Sequence, residues 1–269
     1  MKFKLIALDV DGTLLDDDHN LSERTKQTIQ DVHDAGCHIV LCTGRAPVST
    51  LPILQELGLE GTMITHNGAA TVYADEKGQA LVNEFTFTLS EIQPMLDYAR
   101  REGIHFDVCT PFNMYIEHIG EEERLMYQKY LISPKLVTDV SELGIPLVKL
   151  TLFAQPEVLD RVQREWDEQK LYGDLRMIRS GDLFIDVMSA KANKGNALKA
   201  LADELEIEPE AIMAIGNYYN DVEMMTFAGL GIAVANSPED VKKAADKVTA
   251  SNNDEGVHQA LVKYCLELA

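Results

Sequence analysis

Residues 2–8 form a short apolar run without a helix breaker, closing on Leu5-Ile6-Ala7-Leu8, and the run ends on Asp9-Val10-Asp11-Gly12-Thr13. No other stretch constrains the fold as strongly. The run reads as a buried strand, and a strand that delivers acids and a glycine at its carboxyl end suits an open α/β sheet, where ligands occupy the crevice beyond the strand tips. Past such a tip, residues i and i+2 can project to the same side. One carboxylate can then attack an electrophile such as phosphorus while the next handles a proton on the leaving oxygen. Gly12 permits a backbone conformation that a Cβ would block, and Thr13 can fix the turn through its hydroxyl. Together they make a loop of inward amides suited to an anion. A plain Asp-Gly turn carries the same letters, so the rest of the chain has to decide.

Three further segments sit where other strands should end. His38-Ile39-Val40-Leu41-Cys42 runs into Thr43-Gly44-Arg45, a hydroxyl, a flexible joint and a guanidinium that a phosphate can use together. Lys194 lies at the start of a helical stretch opened by Ala190-Lys191-Ala192-Asn193, where an ammonium can neutralise a transferring phosphoryl group. Ala211-Ile212-Met213-Ala214-Ile215 is another buried strand, followed by Gly216-Asn217-Tyr218-Tyr219-Asn220-Asp221. It brings Asn217, Asn220 and Asp221 beside the first acidic pair.

In these four motifs, their order and their rough spacing, the chain resembles the haloacid dehalogenase-like superfamily of phosphohydrolases, and within it the Cof-type, cap-bearing sugar phosphatases. The resemblance covers the chain from end to end. It implies that Asp9 is the nucleophile that forms an aspartyl-phosphate, Asp11 the general acid and base, Thr43 a hydrogen-bond partner of the phosphoryl oxygens, and Lys194 the charge-balancing group. It also implies Mg2+ held by the Asp9 carboxylate, the Asp11 backbone carbonyl and the fourth motif through Asn217 and Asp221. One position departs from the pattern, because the family's fourth motif usually reads Gly-Asp-x-x-Asn-Asp and Asn217 stands at its first acid. An amide oxygen can ligate a hard cation without contributing charge, so the expectation is a weaker or more magnesium-dependent enzyme rather than an inactive one.

The expected reaction is phosphate-ester hydrolysis on small phosphorylated metabolites, with sugar phosphates as the class. Gly12, Thr13, Gly44, Arg45, Asn67, Gly68 and Asn220 are the candidate substrate-binding residues. Two alternatives use the same letters: a sugar phosphomutase that returns the phosphoryl group to the sugar, and a non-catalytic phosphometabolite sensor in which Asn217 disables metal binding. A formal net charge of −20 disfavours nucleic acid and anionic membranes as partners, both of which call for Lys/Arg patches. It also requires that an anionic substrate be drawn in by local cations. No oligomeric state follows from the sequence.

The chain's 269 residues exceed one ordinary domain. The expectation is a doubly wound, mostly parallel Rossmann-like core sheet in two pieces, residues 1–82 and 189–269, interrupted by an α+β cap at 83–188. Ser22 caps a helix that runs to Ala35 and stops at Gly36, Pro47 to Leu57 is a second helix, and Thr62 to Thr65 is a third strand. Ala70 to Tyr73 and Ala80 to Phe85 flank a hairpin turn. In the insertion, Ser90 to Glu102 and Pro156 to Gln169 are helical, and Ile104 to Cys109, Met114 to Glu117, Leu147 to Phe153, Leu175 to Arg179 and Leu183 to Met188 are strands.

Cys37, Cys42, Cys109 and Cys265 show no paired or metal spacing and are expected to be reduced and mostly buried. The apolar stretch before Asp9 is too short for a secretion leader, so a cytoplasmic location is expected. Other tempting residues take plainer readings. Asp16-Asp17-Asp18 and Glu121-Glu122-Glu123 are solvated faces, Met224-Met225 is core packing, Trp166 anchors a helix of the insertion, and His66 is a satisfied surface or turn imidazole beside the pocket.

Overall fold

The computed structural model describes residues 2–129, 132–171 and 173–267. Two compact units divide the chain, one made of Met1–Glu84 with Ala192–Ala269 and one of Phe85–Lys191.

In the larger unit, β1 (Leu5–Asp9) is buried along its whole length, as the centre of a sheet covered on both faces requires. α1 (Glu23–Asp34) begins at Ser22, whose Oγ accepts the Thr25 N–H at 3.1 Å, and Gly36 follows its end at a φ of +95°. Hydroxyl cap and glycine stop therefore mark the helix where the sequence put them. β2 (His38–Cys42), α2 (Pro47–Glu56) and β3 (Gly61–Thr65) repeat the unit, with β2 parallel to both β1 and β3. β4 (Ala70–Asp75) and β5 (Gly78–Glu84) add an antiparallel hairpin to the edge, joined through Glu76 and Lys77.

The smaller unit carries α3 (Leu89–Glu102), β6 (His105–Cys109), β7 (Met114–Ile116), α4 (Glu121–Lys129), β8 (Lys135–Leu136), β9 (Lys149–Phe153), α5 (Pro156–Gln169), β10 (Leu175–Gly181) and β11 (Phe184–Ser189). Its six strands run in the order β10-β11-β9-β6-β7-β8. One sheet face sends Phe106, Val108, Leu150, Leu152, Ile185 and Val187 against α3 and α5, and Trp166 is buried in that core with Tyr98 edge-on at 5.8 Å. The acidic run Glu121-Glu122-Glu123 keeps Glu121 and Glu122 exposed, as a solvated face should, and it forms the first turn of α4, where the positive end of the helix favours acids. One strand expectation changes. Leu147 lies outside β9 because its backbone bridges Phe87 instead.

The chain returns to the larger unit with α6 (Lys194–Glu204), β12 (Ile212–Gly216), α7 (Val222–Phe227), β13 (Leu230–Ala233), α8 (Glu239–Ala244), β14 (Lys247–Val248) and α9 (Gly256–Leu261). The eight strands run β14-β13-β12-β1-β2-β3-β4-β5. β1 thus lies between β2 and β12, parallel to both. Successive strands go outward from β1 in opposite directions, and such a reversal opens a crevice at the strand tips. Isoleucine, leucine and valine of β1, β2, α1, α2 and α9 form one continuous core beneath it. Met224 and Met225 are buried in α7. All four cysteines are buried and unpaired, and among the described residues no helix is long and apolar enough to cross a membrane.

Candidate active site

The tips of β1 and β12 and the start of α6 bring three charged side chains into direct contact. The Lys194 ammonium donates to Asp9 Oδ1 at 2.7 Å and to Asp221 Oδ1 at 2.6 Å. Thr13 Oγ1 donates to Asp9 Oδ2 at 2.7 Å. Asp221 Oδ2 accepts the backbone N–H of Asn217 at 2.8 Å and of Tyr218 at 3.0 Å. Lys194 is 1% exposed, Asp221 0% and Asp9 5%.

Two carboxylates and one ammonium leave a net negative charge in a buried site, and the titration follows from that. Burial first, and then the Asp221 charge, push the Asp9 carboxyl up to about 6, against the pull of Lys194 and Thr13. Burial opposes the Lys194 charge, yet Asp221 and Asp9 hold its ammonium well above the ordinary lysine value. Lys194 therefore stays charged at every physiological pH.

Asp11 takes a different position. Its carboxylate is 42% exposed and accepts from Arg45 through both oxygens, Oδ2 from Nε at 2.9 Å and Oδ1 from Nη2 at 2.5 Å. His19 Nδ1 lies 3.5 Å from Oδ1. Arg45, read from sequence as a pocket cation, has Asp11 as its partner here. Gly12 next to it adopts φ +74°, the left-handed region that favours glycine, and a Cβ built there would lie 2.3 Å from Asn217 Nδ2.

Thr43 is buried, donates its N–H to Ile64 O at 2.8 Å and accepts the Arg45 N–H on Oγ1 at 3.1 Å. Asn220 Nδ2 donates to Asn67 Oδ1 at 3.0 Å, and the Asn67 side chain lies over Gly44. Gly68 packs so closely on the backbone of Asn193 and Lys194 that a Cβ would come within 2.2 Å. His66 is buried rather than at the surface, in the turn that leaves β3. Every candidate residue from the sequence thus lies in one of the loops that converge beyond β1, β2, β3, β12 and the start of α6.

One further residue belongs with them. Asn236, past the end of β13, donates from Nδ2 to Gly12 O at 2.8 Å and accepts the Asn252 N–H at 3.1 Å. It braces the loop after Asp9. The strand-tip rule that found the others applies to β13 as well, but a lone exposed asparagine gave it no second signal.

Comparison with known proteins supplies the family. A family model described as haloacid dehalogenase-like hydrolase matches residues 6–261. The Bacillus subtilis phosphatase YwpJ is 30% identical, covering 94% of this chain and 97% of its own length. The B. subtilis 5-amino-6-(5-phospho-D-ribitylamino)uracil phosphatase YitU is 28% identical, covering 97% of each. A crystal structure from Thermotoga maritima matches with a TM-score of 0.87 at 28% identity, again covering 97% of each chain. With a match that runs from β1 to the end of α9, the chain belongs to the haloacid dehalogenase-like hydrolases.

Proposed function

We propose that this protein is a magnesium-dependent phosphatase of small phosphorylated metabolites, with sugar and sugar-alcohol phosphates as its substrate class, working through an aspartyl-phosphate on Asp9. The observation that carries the reading is the buried contact of Asp9 with Lys194, itself bonded to Asp221. An aspartate held against a permanent cation is poised for in-line attack on phosphorus. The relative YitU, named for a phosphoribityl substrate, supports the substrate class.

A divalent cation fits the donor set. A carboxylate has about four acceptor sites; Asp9 uses two of its own and Asp221 three in the bonds described, and the trio carries one uncompensated negative charge. Among the described residues no three His, Cys, Asp or Glu side chains gather into a metal cluster, so the remaining ligands would be uncharged oxygens, the Asn217 amide and the Asp11 backbone carbonyl. Hard oxygen donors of this kind suit magnesium. Bound there, the cation would offset charge on the phosphoryl oxygens.

The chain's own groups then account for the chemistry. An Asp9 oxygen attacks phosphorus, and the ester oxygen leaves with a proton from Asp11. Water attacks the aspartyl-phosphate, gives its proton to Asp11 and frees Asp9 and inorganic phosphate. Thr43 hydrogen-bonds the phosphoryl oxygens, and Lys194 balances charge on nucleophile and phosphate. Asp11 can act only when Arg45 lets it turn toward the ester, and the phosphate dianion competes for that guanidinium. Four unpaired buried thiols suit a reducing cytoplasm.

Phosphate release from sugar, sugar-alcohol, nucleotide and triose phosphates across a magnesium titration, with Asp9→Asn as control, tests the reading. Release that is the same in both proteins would refute it. Asp11→Asn should lower kcat/KM, which reports the first transfer, by about 100-fold or more on alkyl phosphates and far less on para-nitrophenyl phosphate, whose leaving group needs no acid, since general acids typically contribute 10²–10⁴-fold. Equal losses in kcat/KM on both substrates would mean that Asp11 is not the acid. Asn217→Asp should tighten magnesium by about 10–100-fold, the scale on which metal shells respond to a single group. A magnesium titration with no change would place the amide outside the metal shell.

A further inference from the structure

We infer that Asn67 is a positioning residue that sets the Thr43 loop against the fourth-motif loop; the inference rests on the phosphatase reading above. Lys194 ties Asp9 directly to Asp221. Among the described residues Thr43 has no such link, and its hydrogen bonds run to Ile64, Arg45 and Asn67. The turn that leaves β3 supplies what is missing. His66, Asn67 and Gly68 adopt φ values of 49°, 54° and 93°, three left-handed residues in succession between the paired Thr65 and Ala70. A short hairpin connection offers easier conformations than this one, and asparagine is among the few non-glycine residues that tolerate it.

The strained turn reaches three loops at once. Its His66 N–H donates to Arg45 O at 2.9 Å and its Asn67 N–H to Thr43 O at 3.0 Å, so the β2 tip is laced to it by backbone. The Asn67 side chain covers Gly44, with Oδ1 only 3.0 Å from where a Cβ would stand. That same Oδ1 accepts from Asn220 Nδ2 at 3.0 Å, in the loop whose next residue is Asp221. Gly68 then rests on the backbone of Asn193 and Lys194. The amide oxygen of Asn67 is therefore engaged by the protein, and its work is to hold Thr43 and Asp221 in register around the phosphoryl group. A displacement of about 1 Å in such a site can cost on the order of 10²-fold in rate.

The test uses para-nitrophenyl phosphate at saturating magnesium with the full-length protein. Asn67→Gly accepts the left-handed backbone and removes only the side chain, so its near-ultraviolet circular dichroism stays that of the wild type and its melting temperature falls by no more than about 2–4 °C. Its kcat should fall by about 10- to 100-fold with KM unchanged. Asn220→Ala should fall comparably, and the double variant should lose no more than either alone, since both remove one bond. Asn67→Asp retains both the left-handed tolerance and an acceptor oxygen, and should restore kcat even where its charge raises KM. A wild-type kcat in Asn67→Gly, losses that multiply in the double variant, a change confined to KM, or an Asn67→Asp enzyme as slow as Asn67→Gly would each overturn the inference. Asp9→Asn in the same assay separates the two levels. Phosphate release indifferent to Asp9 removes the phosphatase reading itself, whereas Asp9-dependent release indifferent to Asn67 removes only the role given to Asn67.

Discussion

Asp9→Asn should abolish phosphate release, by on the order of 10⁵-fold, because an amide cannot form the acyl-phosphate and the loss of a covalent nucleophile removes most of what a catalytic constellation does. The same substitution should not weaken the fold. Burial and the neighbouring Asp221 charge push the Asp9 carboxyl from 3.8 up to about 6, so keeping it ionised in the folded protein costs about 3 kcal/mol at 1.36 kcal/mol per unit. The sign follows from proton counting. Between pH 4 and 6 the unfolded chain has lost this proton while the folded one still holds it, so the stability contributed by the site falls as pH rises through that window. Above about pH 6 the cost is complete. An asparagine escapes it and can still accept from Lys194 and meet Thr13. In metal-free buffer, the variant should therefore unfold at a higher denaturant concentration than the wild type at pH 7 to 8, with the difference closing toward pH 4. Chemical denaturation across pH, paired with a phosphate-release assay, reads both halves. A variant that loses activity and stability together at pH 8 would mean that the aspartate is kept for packing.

Such opposition between function and stability is also where the sequence was most legible. β1, β2 and β12 announce themselves as unbroken apolar runs because a central parallel strand is covered on both faces, and their polar tips stand out by contrast. Asp9, Thr43 and Asp221 could be placed near one another from that contrast, and Lys194 from the helix it opens. Helix ends were legible where a local cap fixes them, as at Ser22 and Gly36. α4 was not, since its one well-buried described side chain, Tyr127, leaves no periodic apolar stripe for a pattern to show.

Partner choice between remote side chains was the other blind spot. Arg45 has several acids within its possible reach, and nothing local says that Asp11, 34 positions earlier, accepts from two of its nitrogens. Nor does the fourth motif reveal that Asp221 is engaged by Lys194 and two backbone amides rather than free to replace the charge missing at Asn217. Chain order fixes which residues stand at a strand tip. Which of them bond to one another depends on how the loops pack, and loop packing has no period to read.

Lys194→Met bears on that packing directly and should be the most damaging single change to stability in the site. Methionine fills much of the same volume, but it leaves Asp9 and Asp221 facing each other with the ammonium that lay 2.7 and 2.6 Å from their oxygens removed. Breaking a buried ion pair from one side costs about 3–5 kcal/mol, because the stranded charge has neither water nor partner. Here two charges are stranded, and the variant should lose about that much at pH 8. Acid should relieve it. With the cation gone the Asp9 carboxyl, already raised by burial and by the Asp221 charge, is pushed further up, so it takes a proton at a higher pH than in the wild type and the gap narrows as pH falls toward about 6. Magnesium should relieve it too, stabilising the variant more than the wild type, since a divalent cation is then the only positive charge available to the pair. Activity should not recover with stability. The phosphoryl group loses a fixed, preoriented charge, which typically costs 10²–10³-fold in kcat. Denaturation curves at pH 5 and 8, each with and without magnesium, distinguish this from simple loss of packing. A packing defect would be the same at both pH values and indifferent to the metal, and that result would show that Asp9 and Asp221 do not need Lys194 to remain charged side by side.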